Sequence, residues 1–325
     1  MAAAYPWLTP IWTRLLSMRQ RLPHAVLLAG PQGVGKVELA KDWAKSLLCE
    51  KPGSDGEACG HCEGCHWFEA GTHPDFRHLT LIVKENREGE VKLATEISVE
   101  QAREAVEFVQ LSTYRAGRRL VLVEPAEALN TASANALLKV LEEPPINTVF
   151  ALVSHQPRQL LPTLLSRCHK LVIGLPAWED SEKWLKSQGL DETALAWAGG
   201  APLTAVADRE EGQEDLRAEV LKALSQGKDL DAVALAENWY RRVPPKLWHR
   251  MTYRWLLDLL ASHLGGKVRF NPDFSTELAR LGKQAKRPDL LNLAQEDMKS
   301  GRWVDHPLNR QHVLEAWLTG YRQVF

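Results

Sequence analysis

The sequence predicts an α/β domain with a parallel sheet flanked by helices, followed by a region made of helices alone. Two observations carry this prediction. Residues 24–49 have the order strand, glycine-rich loop, helix, and strand and helix patterns then alternate to about residue 170, as in parallel sheets covered on both faces. Beyond Pro176 every periodic segment has the three- and four-residue spacing of an amphipathic helix.

Size and composition limit the classes of protein that need considering. The 325 residues are enough for two or three domains of about 100–200 residues each. Apolar residues make up 45% and charged residues 25%, which is ordinary for a globular protein and argues against disorder. No run of about 18 apolar residues is present and the N-terminus lacks a signal-peptide pattern, so we expect a cytoplasmic protein without membrane contact.

Charge gives a further expectation about partners. The chain has 40 Lys and Arg against 41 Asp and Glu. It therefore lacks the overall positive charge that would hold it on nucleic acid by itself. Any contact with DNA must be local or shared with partner proteins.

The first strand, loop and helix surround residues 30–38, GPQGVGKVE. His24–Ala29 is a short apolar run, and the segment after the loop is an amphipathic helix. Phosphate loops with the pattern G-x-x-x-x-G-K-[ST] occupy this place between a strand and a helix. Val37 stands where that pattern requires a hydroxyl.

The loop keeps some requirements of nucleotide binding and loses another. Gly30, Gly33 and Gly35 would let backbone N–H groups point at phosphate oxygens, and Lys36 would neutralise phosphate charge. Val37 has nearly the shape of Thr but no oxygen, so it cannot ligate Mg²⁺. Passive phosphate binding stays open, while use of ATP and Mg²⁺ by this chain is not expected.

Four of the five cysteines lie close together with the spacing C-x9-C-x2-C-x2-C. In a reducing cytoplasm such a cluster is more typical of a metal site than of disulfides. Four thiolates around Zn²⁺ leave no open position for water, so the zinc would be structural and would tether a loop too polar to fold alone. The predicted ligands are Cys49, Cys59, Cys62 and Cys65.

Two alternatives to a four-cysteine site remain. Cys62 and Cys65 could form a redox pair, although such a motif leaves the other two cysteines unexplained. Alternatively His61, His66 or His73 could replace one of the thiolates as a ligand.

The later elements of the first domain follow from local patterns. Ser98 begins a helix, with Gln101 completing a capping box. Leu120 to Val123 is a buried strand, about Ala132 to Glu143 is a helix that ends before two prolines, and Thr148 to Val153 is the next strand. These segments continue the alternation of strands and helices.

The end of the strand 120–123 bears on catalysis. An ATPase needs an acidic residue there to hold Mg²⁺, and beside it a carboxylate that orients water. Glu124 could reach a metal, although it is one methylene longer than Asp. Pro125 has no group that could orient water. Together with Val37, this predicts a site that does not hydrolyse ATP.

Five segments in order carry a resemblance to a known family. RLPHAVLLAGPQGVGK, CGHCEGC, GTHPD, TASANALLKVLEEPP and LLSRC resemble the bacterial DNA polymerase III clamp loader, in the AAA+ family. Among its subunit families the chain is most similar to delta-prime, which shares the N-terminal YPWL and carries degraded nucleotide motifs. The resemblance covers about residues 5–205, and the C-terminal helices match only in character and position.

The resemblance implies a domain organisation and an activity. It implies an AAA+ domain over residues 1–175 with a zinc module at about 49–65, a small helical lid over 176–208 and a helical collar over 209–325. It further implies a non-hydrolysing member of a five-subunit ring with delta and three gamma or tau subunits. That ring places the sliding beta clamp on primed DNA within the DNA polymerase III holoenzyme, a DNA-directed DNA polymerase and nucleotidyltransferase.

Three positions take roles from the resemblance. Ser166-Arg167-Cys168 matches the arginine-finger motif, so Arg167 would act on nucleotide bound by a neighbouring subunit. The alternative for an isolated arginine is a surface ion pair, and the motif context favours the finger. Gly199-Gly200 matches the second sensor motif, but Leu203 occupies its arginine position, so the lid would not touch a γ-phosphate. Ser154 lies where the first sensor sits.

Two alternative functions follow from the same residues. The chain could be an active ATPase of the gamma or tau type that uses Glu124 for Mg²⁺. It could also be a zinc-dependent nucleic-acid-binding protein. The nearly equal numbers of basic and acidic residues argue against that function.

Overall fold

The computed structural model describes residues 5–85, 91–114, 117–300 and 309–325. The chain divides into two compact units, Met1–Asp180 and Ser181–Phe325. Within the described residues, each helix is too short or too polar to cross a lipid bilayer.

The first unit contains a five-stranded parallel sheet and a separate two-stranded one. The strands are β1 (Ala25–Ala29), β2 (Phe76–Leu79), β3 (Val83–Glu85), β4 (Val91–Leu93), β5 (Arg119–Val123), β6 (Thr148–Ser154) and β7 (His169–Val172). The large sheet has the order β2-β5-β6-β1-β7, and β3 pairs with β4 antiparallel. Strands β1, β5 and β6 lie in the middle and are buried along their whole length, because helices cover both faces of a parallel sheet.

Helices cover both faces of this sheet. They are α1 (Thr9–Ser17), α2 (Lys36–Leu48), α3 (Glu63–Glu69), α4 (Val99–Gln110), α5 (Thr131–Glu142) and α6 (Pro162–Leu165). Val26 and Leu28 pack with α1 and α2, whereas Leu27 packs with α4 and α5 on the opposite face, as the two-residue period of a strand requires. The predicted parallel sheet with flanking helices is therefore confirmed.

Local predictions in this unit agree with the structure. The Ser98 hydroxyl accepts from the Gln101 N–H while the Gln101 side chain accepts from the Ser98 N–H, so the predicted capping box is present. The predicted strand 120–123 lies within β5, and α5 ends before the two prolines. Strand β2 lies in the region after about Gly71 for which the sequence predicts strand-like structure interrupted by a polar stretch around Lys84 to Glu90. Strand β7 is not predicted by the sequence, because it is a short edge strand with mostly exposed side chains.

The second unit is helical throughout its described residues. Its helices are α7 (Trp178–Ser187, which crosses the unit boundary), α8 (Glu192–Trp197), α9 (Pro202–Glu210), α10 (Gln213–Leu224), α11 (Ala232–Arg242), α12 (Pro245–His263), α13 (Ser275–Gln284), α14 (Arg287–Ser300) and α15 (Arg310–Gln323). Gly199 and Gly200 have φ angles of +70° and +88°, and α9 begins at Pro202. Division of this unit into a lid and a collar stays a prediction.

Candidate functional site

The glycine-rich loop lies between β1 and α2, in the position of a phosphate loop. Gly35 precedes α2 with a φ of +90°, a backbone conformation that favours glycine. A Cβ atom at Gly35 would lie 2.7 Å from the ring of Tyr5, and one at Gly30 would lie 1.9 Å from the carbonyl oxygen of Ile173. Both glycines are therefore required by packing within the chain itself.

Lys36, the phosphate-loop lysine, is turned towards its own loop. Its side chain is buried, and its Nζ atom donates to the carbonyl oxygen of Pro31 at 2.5 Å. Burial lowers the pKa of Lys36 to about 8, and the nearby Glu127 carboxylate opposes this shift. The ammonium group thus has an acceptor from its own chain.

The N-terminal segment 5–8 packs against the same loop. The indole N–H of Trp7 donates to the carbonyl oxygen of Val34 at 3.0 Å, and the Tyr5 and Trp7 rings stack with centroids 5.4 Å apart. The Leu8 side chain also approaches Gly35, reaching within 2.9 Å of where a Cβ atom would lie. Sequence reasoning used YPWL only as a sign of resemblance and missed this contact.

The end of β5 carries a contact between a carboxylate and an imidazole at the position where an active ATPase would hold a metal. The Glu124 carboxylate lies 3.4 Å from Nε2 of His78 on β2. A hydrogen bond with His78 lowers the pKa of Glu124, with burial opposing the effect. Pro125 follows Glu124, and Val37 packs among apolar side chains at the start of α2. The site therefore has an imidazole beside its first carboxylate and no hydroxyl at position 37.

Two further polar residues near this site were missed from the sequence. The backbone N–H of His155 donates to the Glu127 carboxylate at 2.9 Å. Burial lowers the pKa of His155, and the charge of Lys36 lowers it further, so Glu127, His155 and Lys36 form one electrostatic group.

Ser154, at the end of β6, is buried, and its hydroxyl has no hydrogen-bond partner among the described residues. Its role as a first sensor stays a prediction.

The four predicted cysteine ligands converge on one point. Their sulfur atoms all lie within 4.8 Å of one another, and the Cys49–Cys62 and Cys59–Cys65 pairs are each 3.9 Å apart. A tetrahedral zinc site with metal–sulfur distances of about 2.3 Å has sulfur–sulfur edges of about 3.8 Å. The cluster could therefore hold a metal ion of that geometry.

Backbone N–H groups support negative charge on these sulfurs. Cys62 is the N-cap of α3, and its sulfur accepts from the Cys65 N–H at 3.4 Å. The Cys49 sulfur accepts from the Cys59 N–H at 3.3 Å. Such donors stabilise the thiolate form that a metal requires.

The histidines do not join the cluster. Among the described residues, the group that could hold a metal consists of the four cysteines alone. His61 uses its Nδ1 atom on the Cys59 carbonyl oxygen at 2.7 Å, and Nδ1 of His73 accepts from the Asp75 N–H at 3.1 Å. A redox pair would involve two of these sulfurs, whereas the structure brings four together.

The GTHPD segment connects the cysteine module to the sheet. Asp75 is fully buried and accepts from the Tyr114 N–H at 2.7 Å. Arg119 at the start of β5 is also buried, donates to the Phe108 carbonyl oxygen and lies over the Phe108 ring. The Arg119 guanidinium approaches Asp75 at 4.0 Å. These buried contacts give the GTHPD segment a structural role, because they stabilise the edge of the sheet next to β2.

Arg167 follows α6 and lies just before the edge strand β7. Its side chain is 29% exposed. One terminal nitrogen donates to the Thr163 carbonyl oxygen at 2.7 Å and to the Ser166 hydroxyl at 3.2 Å. The other donates to the carboxylate of Glu142, the last residue of α5. The predicted finger residue is thus partly exposed and is held by its own chain.

Comparisons with known proteins agree on one family. A family model described as DNA polymerase III, delta subunit matches residues 11–176. The DNA polymerase III subunit delta' of Pseudomonas aeruginosa is 42% identical over 272 residues, which cover 81% of this chain and 79% of that protein. The subunit delta' of Escherichia coli is 33% identical over 288 residues, covering 85% of this chain and 82% of that protein.

The similarity to another subunit is more limited in extent. The DNA polymerase III subunit tau of Salmonella typhimurium is 37% identical over 148 residues. That match covers 46% of this chain and 21% of the tau protein, so it leaves more than half of this chain unmatched.

Proposed function

The chain belongs to the DNA polymerase III delta-prime subunit family, and on this premise we propose that it is a non-hydrolysing subunit of the clamp loader. The observation that carries the proposal is the closed nucleotide loop, in which Lys36 donates to Pro31 and Val37 offers no oxygen. Phosphate binding would have to displace that bond, and Mg²⁺ would lack its hydroxyl ligand.

The proposed partners are the other clamp-loader subunits. We expect a five-subunit cytoplasmic ring with delta and three gamma or tau subunits, which places the sliding beta clamp on primed DNA. In this assembly residues 176–208 form a lid and residues 209–325 form the collar that holds the subunits together. In the described residues of the second unit all regular elements are helices, which supports a collar because helix faces pack readily between subunits.

Arg167 is the proposed point of action on a neighbour. A guanidinium that reaches the γ-phosphate of an adjacent subunit stabilises negative charge in the transition state. Partial exposure of Arg167 and its place at the sheet edge beside β7 support this role, because the group lies within reach of another molecule.

The cysteine cluster is the proposed zinc site. Zn²⁺ bound by Cys49, Cys59, Cys62 and Cys65 would be closed to water and structural, as expected for four thiolates. The sulfur–sulfur distances of 3.9 Å support this assignment. The metal would link the end of α2 to the start of α3.

Single-turnover hydrolysis in the reconstituted complex tests the proposed function. Arg167→Ala should slow hydrolysis at the adjacent site by about 10³-fold or more, whereas Arg158→Ala, a change at another exposed arginine, should leave it unchanged. The wild-type chain alone should hydrolyse no ATP. Hydrolysis by the isolated chain that disappears in Lys36→Ala would instead favour a gamma- or tau-type ATPase.

A further inference from the structure

The Arg167 guanidinium is held by two kinds of acceptor. One terminal nitrogen donates to Thr163 in α6 and to Ser166, the residue directly after that helix. The other binds the carboxylate of Glu142, 25 residues earlier in the chain. Glu142 is therefore the acceptor that ties this arginine to a different element, the end of α5.

Electrostatics favour a cation at this end of α5. Glu142 is the last residue of the helix, where unpaired carbonyl groups give a partial negative charge. Glu142 and the adjacent exposed Glu143 add two carboxylates at that pole. The two carboxylates and the carbonyl groups at the helix end repel one another, and a guanidinium reduces that repulsion. This explains why Arg167 binds there within its own chain.

The same pair is exposed enough to be exchanged. The side chains of Arg167 and Glu142 are 29% and 49% exposed, so water screens their attraction and the pair adds little stability. The γ-phosphate of a nucleotide carries more charge than one carboxylate and offers several acceptor oxygens. It can therefore replace Glu142 as the partner of Arg167.

We propose that Glu142 is a positioning residue that holds Arg167 on its own chain until nucleotide phosphate in a neighbouring subunit replaces it. The inference rests on the proposed role of Arg167 in that neighbour. Because the pair must break before the guanidinium acts, the free energy of the pair adds to the barrier, and Glu142 lowers the hydrolysis rate at the adjacent site of the assembled ring. The LEEPP segment thereby contributes to regulation of the neighbouring ATPase.

Single-turnover hydrolysis in the reconstituted complex tests this role. Glu142→Gln keeps the side-chain shape and removes its charge, so the maximal rate at the adjacent site should rise about two- to fivefold, as expected for loss of an exposed ion pair. Glu143→Gln makes the same charge change one residue later and should have no effect. In an Arg167→Ala background, Glu142→Gln should also have no effect, because the double-mutant cycle removes the pair.

The outcomes separate this inference from the proposed function. A rate that falls or does not change in Glu142→Gln, while Arg167→Ala still slows hydrolysis, overturns the role of Glu142 alone. A rise that persists in the Arg167→Ala background also overturns it. No effect of Arg167→Ala itself overturns the proposed role of Arg167 in a neighbouring subunit and this inference together.

A second measurement examines the contact in the full chain without activity. Nitrogen-15 NMR of the arginine side chains should show hindered rotation of the Arg167 guanidinium, because both of its terminal nitrogens are bonded. Rotation should become faster in Glu142→Gln and remain slow in Glu143→Gln. Equal rotation in wild type and Glu142→Gln contradicts the proposed hold on Arg167.

Discussion

The ammonium group of Lys36 donates a hydrogen bond to the carbonyl oxygen of Pro31, which lies 2.5 Å away and five residues earlier in the same loop. In a working phosphate loop this lysine faces the β- and γ-phosphates. Here it is buried beneath a loop that Tyr5 and Trp7 also contact. The effect of this burial on the free energy of unfolding can be measured without any nucleotide.

Stability should depend on pH through Lys36. Burial lowers its pKa in the folded chain to about 8, against about 10.4 in an unfolded chain. Between these values the unfolded chain binds a proton that the folded chain does not, so the free energy of unfolding rises with pH. Urea unfolding from pH 8 to 10 should show this rise in wild type relative to Lys36→Met. Parallel pH curves for the two proteins would contradict the burial of the charged group.

Metal content should depend on the cysteine cluster. We expect about one zinc per chain in wild type, and loss of both metal and thermal stability in Cys62→Ser, because metal binding is coupled to folding of the module. Cys168→Ser is the matched control, since Cys168 lies outside the cluster. Elemental analysis and thermal unfolding measure both effects. Freshly purified wild-type protein without metal would refute the zinc site.

Asp75 should be important for stability of the first unit. It is fully buried and binds the Tyr114 N–H near Arg119. Asp75→Ala leaves the buried guanidinium without its nearby charge and should cost about 3–5 kcal/mol. Asp75→Asn keeps an acceptor for the N–H group and should cost less. Denaturant unfolding measures both variants, and equal costs would mean that the charge of Asp75 is unimportant.

Tyr321 should stabilise the second unit through its buried hydrogen bonds, as Asp75 stabilises the first. Its hydroxyl accepts from the Trp255 indole N–H and donates to the Leu224 carbonyl oxygen, both at 2.8 Å. Tyr321→Phe leaves these buried groups unpaired and should cost about 1–3 kcal/mol. Tyr253→Phe, at a partly exposed position, should change stability by less than about 0.5 kcal/mol. A neutral Tyr321→Phe in urea unfolding would show that the bonds are dispensable.

Much of the sheet could be predicted because its central strands have local signals. Residues 120–123 form a continuous apolar run, and this run lies inside the buried strand β5. The edge strands β2 and β7 have mixed exposure, so they lack the apolar run that identifies a central strand. The same limit applies to the site, where His78 lies on one of those edge strands.

The sequence by itself determined the central strands, the helices with a clear period, the identity of Val37 and Pro125, and the spacing of the four cysteines, because residue type, period and short spacing are local properties. Only the tertiary structure decided that Lys36 binds Pro31, that residues 5–8 cover the loop, and that Glu142 holds Arg167. Most of these contacts join residues far apart in the chain, and even the local Lys36 bond depends on burial by distant residues. Each polar group has many possible hydrogen-bond partners, and the packing of distant side chains decides which partner it binds. A local sequence pattern does not contain that information.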